Sequence, residues 1–262
     1  MNGPGKRELL DRELTRLNVA VAGLQEVRWK DSGDLNLDNY KLFWSGHTNS
    51  AIQGVAIAVR KDITDCVHEW KPLSPRLIYA RLRHSRGFFS IFSCYAPTNA
   101  ADEEEKDIFF DLLSSELARV SRHDVVMVLG DLNATVGDDT QGYDAILGPH
   151  CNGLTNDNGY RTLDLAAANA LKVSFSWFPH KEIHRITWYS NDRVTRKTID
   201  HVLFSKRWNA VSDCRVFRSA ELGCTDHRIV VSTVCIKLKR AHPKPLNTKL
   251  ADVAKLVERE NV

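Results

Sequence analysis

The sequence predicts an α/β fold in which two packed sheets are flanked by helices. Three observations lead there. Short, strand-like apolar runs outnumber helical ones, and the two kinds alternate along the chain instead of segregating. Polar or Gly/Asp-rich turns separate them. At 262 residues, 43% hydrophobic and 26% charged, the chain can bury a full core, as one large α/β domain or two small ones.

The elements follow in order. Leu9, Leu10, Leu14 and Leu17 have helical spacing over residues 6–17. The Val-rich run 18–24 reads as a buried strand, and residues 31–39 as a polar loop. Residues 54–59, 78–82 and 88–93 read as strands. Asp102-Glu-Glu-Glu-Lys opens a helix to about Val120, its acidic first turn complementing the helix dipole. The apolar run 125–129 suits a strand covered on both faces. A Gly/Asp-rich loop spans 138–153, Asn158-Gly159 marks a turn, and 162–171 reads as a second long helix. Strands follow at 186–189 and 199–204, joined by a polar hairpin over 190–197, and then at 211–217 and 229–238. His-Pro-Lys-Pro after Arg240 breaks the pattern. One domain is therefore expected over residues 1–240, with 241–262 a linker or the start of a further region.

Composition excludes some classes. No apolar run approaches the ~20 residues of a membrane span, and no apolar segment follows the N-terminal charges as in a secretory signal, so no membrane partner is expected. The six cysteines form no Cys-x-x-Cys pair and several sit in apolar runs. They read as reduced thiols of an intracellular protein. A net charge of +3 is too small to indicate nucleic acid by itself. Basic residues nevertheless cluster at Arg76, Arg81, Arg83, His84 and Arg86, at Arg185, Arg193, Arg196 and Lys197, and in the tail from Lys237. Such clusters fit a polyanion, or else solvated strand ends.

The chemistry lies in polar residues at the ends of apolar strands. Gln25-Glu26 closes the first strand, Asp131-Leu-Asn133 follows 125–130, Asp200-His201 opens another strand, and Asp226-His227 precedes the last. Asp131 and Asn133 alternate with Leu132 and share a face. A carboxylate there can orient or deprotonate water, and the amide can hold a phosphate oxygen. The plain alternative is an Asx turn ending a strand. Glu26 suits magnesium, which needs few protein carboxylates, or else a surface pair with Arg28. His227 could contact a scissile phosphate with Asp200 fixing its tautomer, leaving Asp226 for metal or water; a turn and a half-buried strand histidine is the rival. Tyr95, before Ala-Pro-Thr-Asn, could donate to a phosphate oxygen or be a core tyrosine. Thr187-Trp188 could brace the floor of the site or simply pack.

Together, Leu-Gln-Glu26, Tyr95-Ala-Pro-Thr-Asn, Gly-Asp131-Leu-Asn133-Ala, Thr187-Trp188, Ile-Asp200-His-Val-Leu and Thr-Asp226-His227 resemble the endonuclease/exonuclease/phosphatase superfamily, and within it the apurinic/apyrimidinic-type endonucleases. Residues 24–30, 156–165 and 184–208 are similar to endonuclease domains of non-LTR (LINE) retrotransposons and to craniofacial development protein 2-like proteins. The resemblance covers about residues 7 to 238. It implies a four-layer sandwich of two packed mixed β-sheets flanked by helices, with a Mg²⁺ or Mn²⁺ site. It gives Glu26 the metal, Asp226 the metal or leaving group, and Asp131 the attacking water with Asn133 beside it. His227 paired to Asp200 would stabilise the pentavalent phosphate, and Tyr95 would contact phosphate. The implied reaction is metal-dependent nicking of DNA, with Arg193, Arg196 and Lys197 of the hairpin contacting its backbone.

One departure matters. The family begins with a strand carrying a metal- or phosphate-binding Asn upstream of the Gln-Glu pair. Here the 25 residues before Glu26 read as loop plus helix, so that first strand is expected to be absent and activity weakened. Rival readings are a catalytically inactive nucleic-acid or chromatin-binding module of retroelement origin, a phosphoinositide- or sphingomyelin-type phosphodiesterase, and an unstable chain. A nuclear or cytoplasmic location is expected from the DNA substrate alone, and the oligomeric state is left open.

Overall fold

The computed structural model describes residues 5–139, 141–220 and 225–235. The chain begins with helix α1 (Lys6–Arg16) and then strands β1 (Val21–Leu24), β2 (Ser32–Asn36), β3 (Tyr40–Ser45) and β4 (Val55–Arg60). Next come β5 (Val67–Ser74), β6 (Leu77–His84), β7 (Gly87–Tyr95), helix α2 (Glu103–Arg119) and β8 (Val125–Asp131). Helix α3 (Asp157–Ala168), β9 (Leu171–Val173), β10 (Trp188–Tyr189), β11 (Arg196–Lys197), β12 (Asp200–Ser205), β13 (Val211–Phe217) and β14 (Ile229–Val234) complete the described fold.

Two sheets pack face to face. One is antiparallel, in the order β1-β4-β3-β2, and the other is six-stranded and mixed, in the order β5-β6-β7-β8-β12-β9. The β4 sequence Val-Ala-Ile-Ala-Val shows how one strand serves two layers. Val55, Ile57 and Val59 join Phe43 in the core between the sheets. Ala56 and Ala58, on the opposite face, join Leu42 and Tyr40 beneath Leu10 and Leu14 of α1. Small residues there let the helix approach closely. Beyond the six-stranded sheet, Phe109, Phe110, Leu113 and Leu117 of α2 and Leu163, Leu165 and Ala166 of α3 add to the main core. The order helix, sheet, sheet, helices is the four-layer sandwich the sequence implied.

The neighbours β7 and β8 run parallel, as a helical crossover through α2 requires. Their central residues are buried nearly without interruption. The last two strands, β13 and β14, form a separate antiparallel pair, and β10 with β11 forms a short hairpin.

Several elements differ from the sequence reading. Residues 32–36, expected to be loop, form β2, an edge strand whose polar residues face solvent on its open side. The strands at 40–45 and 67–74 were not assigned from the sequence. The second long helix starts earlier than expected, because Asn156 caps it by accepting from the Gly159 amide at 2.7 Å. Asn158-Gly159 is therefore its first turn and not a loop, and Leu171 opens β9. The strand expected over 186–189 shortens to two residues. The expected domain end near residue 240, the linker at 241–262 and the basic tail from Lys237 lie outside the described residues.

Of the basic cluster at 76–86, Arg81 is structural. It donates to both oxygens of buried Asp124, at 2.8 and 3.0 Å, and the Ser90 hydroxyl adds a bond at 2.8 Å. His84 is buried. Cys66, Cys94, Cys151 and Cys214 are buried free thiols and Cys235 is an exposed one, with no disulfide among the described residues. No described helix is long and apolar enough to cross a membrane.

The Asp124→Ala substitution removes both short hydrogen bonds of the mostly buried Arg81 guanidinium and leaves it the longer pair with Glu69 at 4.0 Å. It is expected to cost about 3 kcal/mol, read as a lower urea midpoint with an unchanged m-value.

Candidate active site

Strand register builds the site. Antiparallel β12 pairs Asp200 opposite Asp131, and parallel β7 pairs Tyr95 with the same residue. Three polar residues therefore stand in one row at one end of the six-stranded sheet. Gly130 makes this possible: a Cβ there would lie 2.0 Å from the Cys94 carbonyl oxygen, so only glycine lets β8 run this close to β7.

The Asp131 carboxylate is 5% exposed and accepts from the Asn133 backbone amide at 2.8 Å. Asn133 sits in the left-handed region, φ 48°, and its side-chain amide donates to the Ala96 carbonyl at 3.0 Å. Burial first, and the nearby Asp200 charge second, push the Asp131 carboxyl up to about 7, while His227 and the Asn133 amide pull the other way. His227 Nδ1 lies 2.9 and 3.1 Å from the two Asp200 oxygens, and its Nε2 faces Asp131 Oδ2 at 3.9 Å. Burial disfavours the imidazolium. The Asp200 hydrogen bond and the charges of Asp200, Asp131 and Asp226 outweigh it and push His227 up to about 9.

Asp200 is held in turn. The Thr187 hydroxyl accepts from the backbone amides of Ile199 and Asp200, at 3.0 and 3.2 Å. A bridge between Trp188 and His227 registers the last strand against β10. The Trp188 indole donates to Asp226 Oδ2 at 2.7 Å. Glu26, also at positive φ, receives the Tyr95 hydroxyl at 2.8 Å and Arg28 at 2.7 Å. Burial works against the Glu26 charge, but those two hydrogen bonds prevail and hold the carboxyl below its usual range. The Tyr95 phenol is raised by burial and then by its bond to Glu26. The Arg76 guanidinium lies over the Tyr95 ring, 5.2 Å from its centroid.

The structure thus brings Glu26, Asp131, Asp200, Asp226 and His227 to one cleft, with Tyr95 bonded to Glu26 and the Asn133 backbone amide to Asp131. The hairpin residues Arg193, Arg196 and Lys197 are exposed, and Arg196 lies 3.3 Å from Glu182. The surface pairing of Glu26 with Arg28 coexists with its place in the site.

Sequence reasoning missed the scaffold beneath Asn133. Buried Asn158 donates through one amide nitrogen to the carbonyls of Pro97 and Leu132, at 2.9 and 3.2 Å. Asn156 donates to the Asn133 carbonyl at 3.0 Å. His201 is fully buried with its Nε2 2.6 Å from the Ala134 carbonyl, and burial holds its pKa down, so it stays neutral and pins the same loop. The Asn-x-Asn spacing was visible in sequence, but its partners lie 21 or more residues away and no local signal identifies them.

The donor set is dominated by carboxylate oxygens, the chemistry of a hard divalent cation. Asp131, Asp200 and His227 place ligand atoms within 4.8 Å of one another. The pair expected for metal, Glu26 and Asp226, is held by separate partners: Tyr95 and Arg28 for the first, Trp188 for the second. Both carboxylates remain exposed to the cleft and fit a Mg²⁺ or Mn²⁺ ion that keeps several waters.

A four-layer sandwich with a His–Asp pair facing a buried carboxylate at one sheet end defines a hydrolase-type scaffold. The chain belongs to the endonuclease/exonuclease/phosphatase family, whose model matches residues 1–227. Members of this family are typically hydrolases acting on phosphodiester bonds and generally use divalent metals. Craniofacial development protein 2 from Bos taurus is 28% identical over 237 residues, and so is its counterpart from Tragulus javanicus. The match covers 90% of this chain but 40% and 41% of those proteins, so the chain spans about two fifths of their length. Among solved structures, the Xenopus laevis APE2 catalytic domain superposes with a TM-score of 0.66 at 16% identity, covering 92% of each chain. The AP endonuclease LMAP from Leishmania major gives 0.63 at 12%, covering 92% of this chain and 85% of its own. The endonuclease domain of TRAS1, a telomere-specific non-LTR retrotransposon, gives 0.60 at 12%, covering 88% and 93%. These likenesses establish the fold.

The geometry fixes a titration. In metal-free protein the His227 ring signals are expected to titrate near 9 by NMR, and to fall toward the ordinary value of 6.5 in Asp200→Asn. Because the folded pKa is raised, this pair's contribution to stability is full below 6.5 and is lost as pH rises through about 9. Asp200→Asn should flatten that part of the stability–pH curve.

Proposed function

We propose that this chain is a metal-dependent endonuclease that hydrolyses DNA phosphodiester bonds. The observation that carries the reading is the Asp200–His227 pair set against Asp131 across 3.9 Å. A buried base and an imidazolium face each other there, both lining the cleft. Asp131, with its raised proton affinity, orients the water and accepts its proton. The water oxygen attacks phosphorus, the bond from phosphorus to the 3′ oxygen breaks, that oxygen takes a proton from solvent, and a 3′ hydroxyl and a 5′ phosphate result. The His227 imidazolium, held in one orientation by Asp200, offers Nε2–H to the charge developing on the phosphoryl oxygens. The Asn133 backbone amide holds Asp131, and Tyr95 donates toward phosphate when Glu26 turns to a cation. A divalent ion held by Glu26, with Asp226 near it, would supply Lewis-acid charge neutralisation.

DNA is favoured over a lipid headgroup by the exposed hairpin with Arg193, Arg196 and Lys197, cations on a projecting ribbon suited to two strands of phosphates. The TRAS1 and AP endonuclease likenesses support the same choice. One observation favours a second reading, a catalytically silent DNA-binding module: among the described residues β1 and β14 each end a sheet beside the site. An intracellular location follows from the proposed substrate.

Nicking of supercoiled plasmid in Mg²⁺, beside EDTA, decides between them. Asp131→Ala and His227→Ala are each expected to lower the rate by about 10²–10⁴-fold with the fold intact. Plasmid binding without any metal-dependent nicking would establish the silent module instead. Across pH, the rate is expected to rise as Asp131 loses its proton near 7 and to decline as His227 loses its own near 9. Replacing Arg193, Arg196 or Lys197 by Ala should weaken DNA binding for all sequences alike and reduce the salt slope by about 1 each.

A further inference from the structure

The far end of the six-stranded sheet, away from the cleft, is lined with cations. Asp131 closes β8 at the cleft, whereas Arg122 and His123 precede its start. The seven residues of that strand hold the two ends about 20 Å apart. Contacts between segments fix which cation stands beside which. The β6–β7 turn, with Arg86, adjoins the turn at 121–124: a Cβ on Gly87 would lie 3.9 Å from the His123 carbonyl oxygen. The Arg207 guanidinium donates to the Arg122 carbonyl at 3.3 Å. The Lys206 amide donates to the Ala170 carbonyl at 2.8 Å, and Lys172 of β9 pairs with Phe204 of β12. Arg86, Arg122, His123, Arg207, Lys206 and Lys172 thus follow one another across the ends of β7, β8, β12 and β9, over roughly 15–20 Å.

Arg86, Arg122, Lys206 and Arg207 are exposed and Lys172 is half-buried, and among the described residues none of the five forms an ion pair. Carboxylates of the same segments are engaged elsewhere: Asp124 is buried against Arg81 and Ser90, and Glu116 pairs with Arg119. Aromatic rings hold two of the cations in place. Lys172 Nζ lies 3.8 Å from the Trp177 centroid, and the Arg207 guanidinium 5.2 Å from that of Trp208. Burial, and then the Lys206 charge, hold the Lys172 ammonium below its usual range. Cations kept together without counter-charge repel one another, and an anion laid along them removes that repulsion.

We propose that this edge is a second nucleic-acid surface, across which the sugar–phosphate backbone of a segment other than the one in the cleft is laid. The row is long enough to meet several successive phosphates, and its arginines offer forked donors that match phosphate oxygens. Contacts of this kind read no bases, so binding is independent of sequence and falls steeply with salt.

Other anionic partners fit less well. A membrane surface or an acidic protein takes apolar anchors as well as cations. The exposed large apolar residues among those described, Ile52, Ile108, Leu154, Tyr160, Ile183 and Val194, all lie outside these segments. This assignment rests on the charges of the edge and not on the reaction, so a failure of nicking leaves it standing.

The test uses the full chain in EDTA, where no metal-dependent cutting occurs. Binding of a short fluorescent duplex of mixed sequence, and of an oligothymidylate of equal length, is followed by anisotropy at low salt, and amide shifts by NMR locate the contacts. Two oligonucleotides per chain are expected, with shifts at 84–87, 121–124 and 206–208 besides those at 190–197. Far-end shifts with either probe support the proposal, and the tighter probe tells whether the segment is paired or single. The triple substitution Arg122→Ala, Lys206→Ala, Arg207→Ala should weaken far-end binding at least about tenfold and leave the shifts at 190–197 saturating as before. Should that variant not fold, Arg122→Glu alone, at an exposed site, should give a loss of the same sign. No far-end shifts with either probe, or equal weakening at both regions in the variant, would overturn the proposal. So would tighter binding of polyglutamate or of phosphatidylserine vesicles than of either oligonucleotide, which would give the edge to an acidic protein or a membrane.

Discussion

The pairing of β8 with β7 on one side and β12 on the other is the constraint on which the rest depends. Its register sets Tyr95, Asp131 and Asp200 in line. A slip of one residue would turn Asp131 into the core and Leu132 into the cleft. Register is secured by burial, since Ile91, Phe92, Met127, Val128 and Leu203 all lie in the main core. The energy holding the site together is therefore apolar and lies several residues from the chemistry. The polar residues ride on strand ends already fixed, and this rigidity allows a buried carboxylate and an imidazolium to be held apart at a set distance.

Electrostatics then divides the labour. Asp131 and Asp200 sit opposite each other, and two carboxylates so close cannot both be cheap to ionise. Asp200 is relieved by His227 at 2.9 Å, whereas Asp131 is sunk in the sheet with His227 only at 3.9 Å. One carboxylate thus becomes a fixed partner for the histidine and the other a group with high proton affinity. Identical side chains take different roles because Asp131 is sunk in the sheet and Asp200 lies beside the imidazole. Tyr95 and Arg28 hold the Glu26 carboxylate below its usual range, facing the cleft.

Much of this was legible in the sequence, for identifiable reasons. Apolar runs such as 125–129 are long enough to be strands, and a polar residue directly after one must lie at a sheet end. That placed Asp131, Asp200 and Glu26 without knowledge of the sheet order. The His227–Asp200 pair was also offered from the residues, with a half-buried strand histidine as its rival, and was implied again by the family resemblance. What stayed hidden was set by distant partners. The polar segment 32–36 becomes a strand only because β3 offers it an edge. Asn158 looked like a turn residue because Asn-Gly usually is one; the cap from Asn156 and the carbonyls of Pro97 and Leu132 turn it into a buried brace. Arg81 read as part of a cationic surface until Asp124, far along the chain, came to lie beside it.

The positions of β1 and β14 bear on how the parts cooperate. Glu26 follows β1 and His227 precedes β14, so the two flank the cleft and are not joined across it by any strand pairing among the described residues. The six-stranded sheet fixes Asp131 and Asp200 rigidly, yet Glu26 and His227 hang on half-sheets coupled mainly through side chains beneath them. His227 is drawn to the rigid half by Asp200 and the Trp188 bridge, and Glu26 by Tyr95. Those contacts are single hydrogen bonds, each worth about 1 kcal/mol net, or somewhat more where a charge takes part.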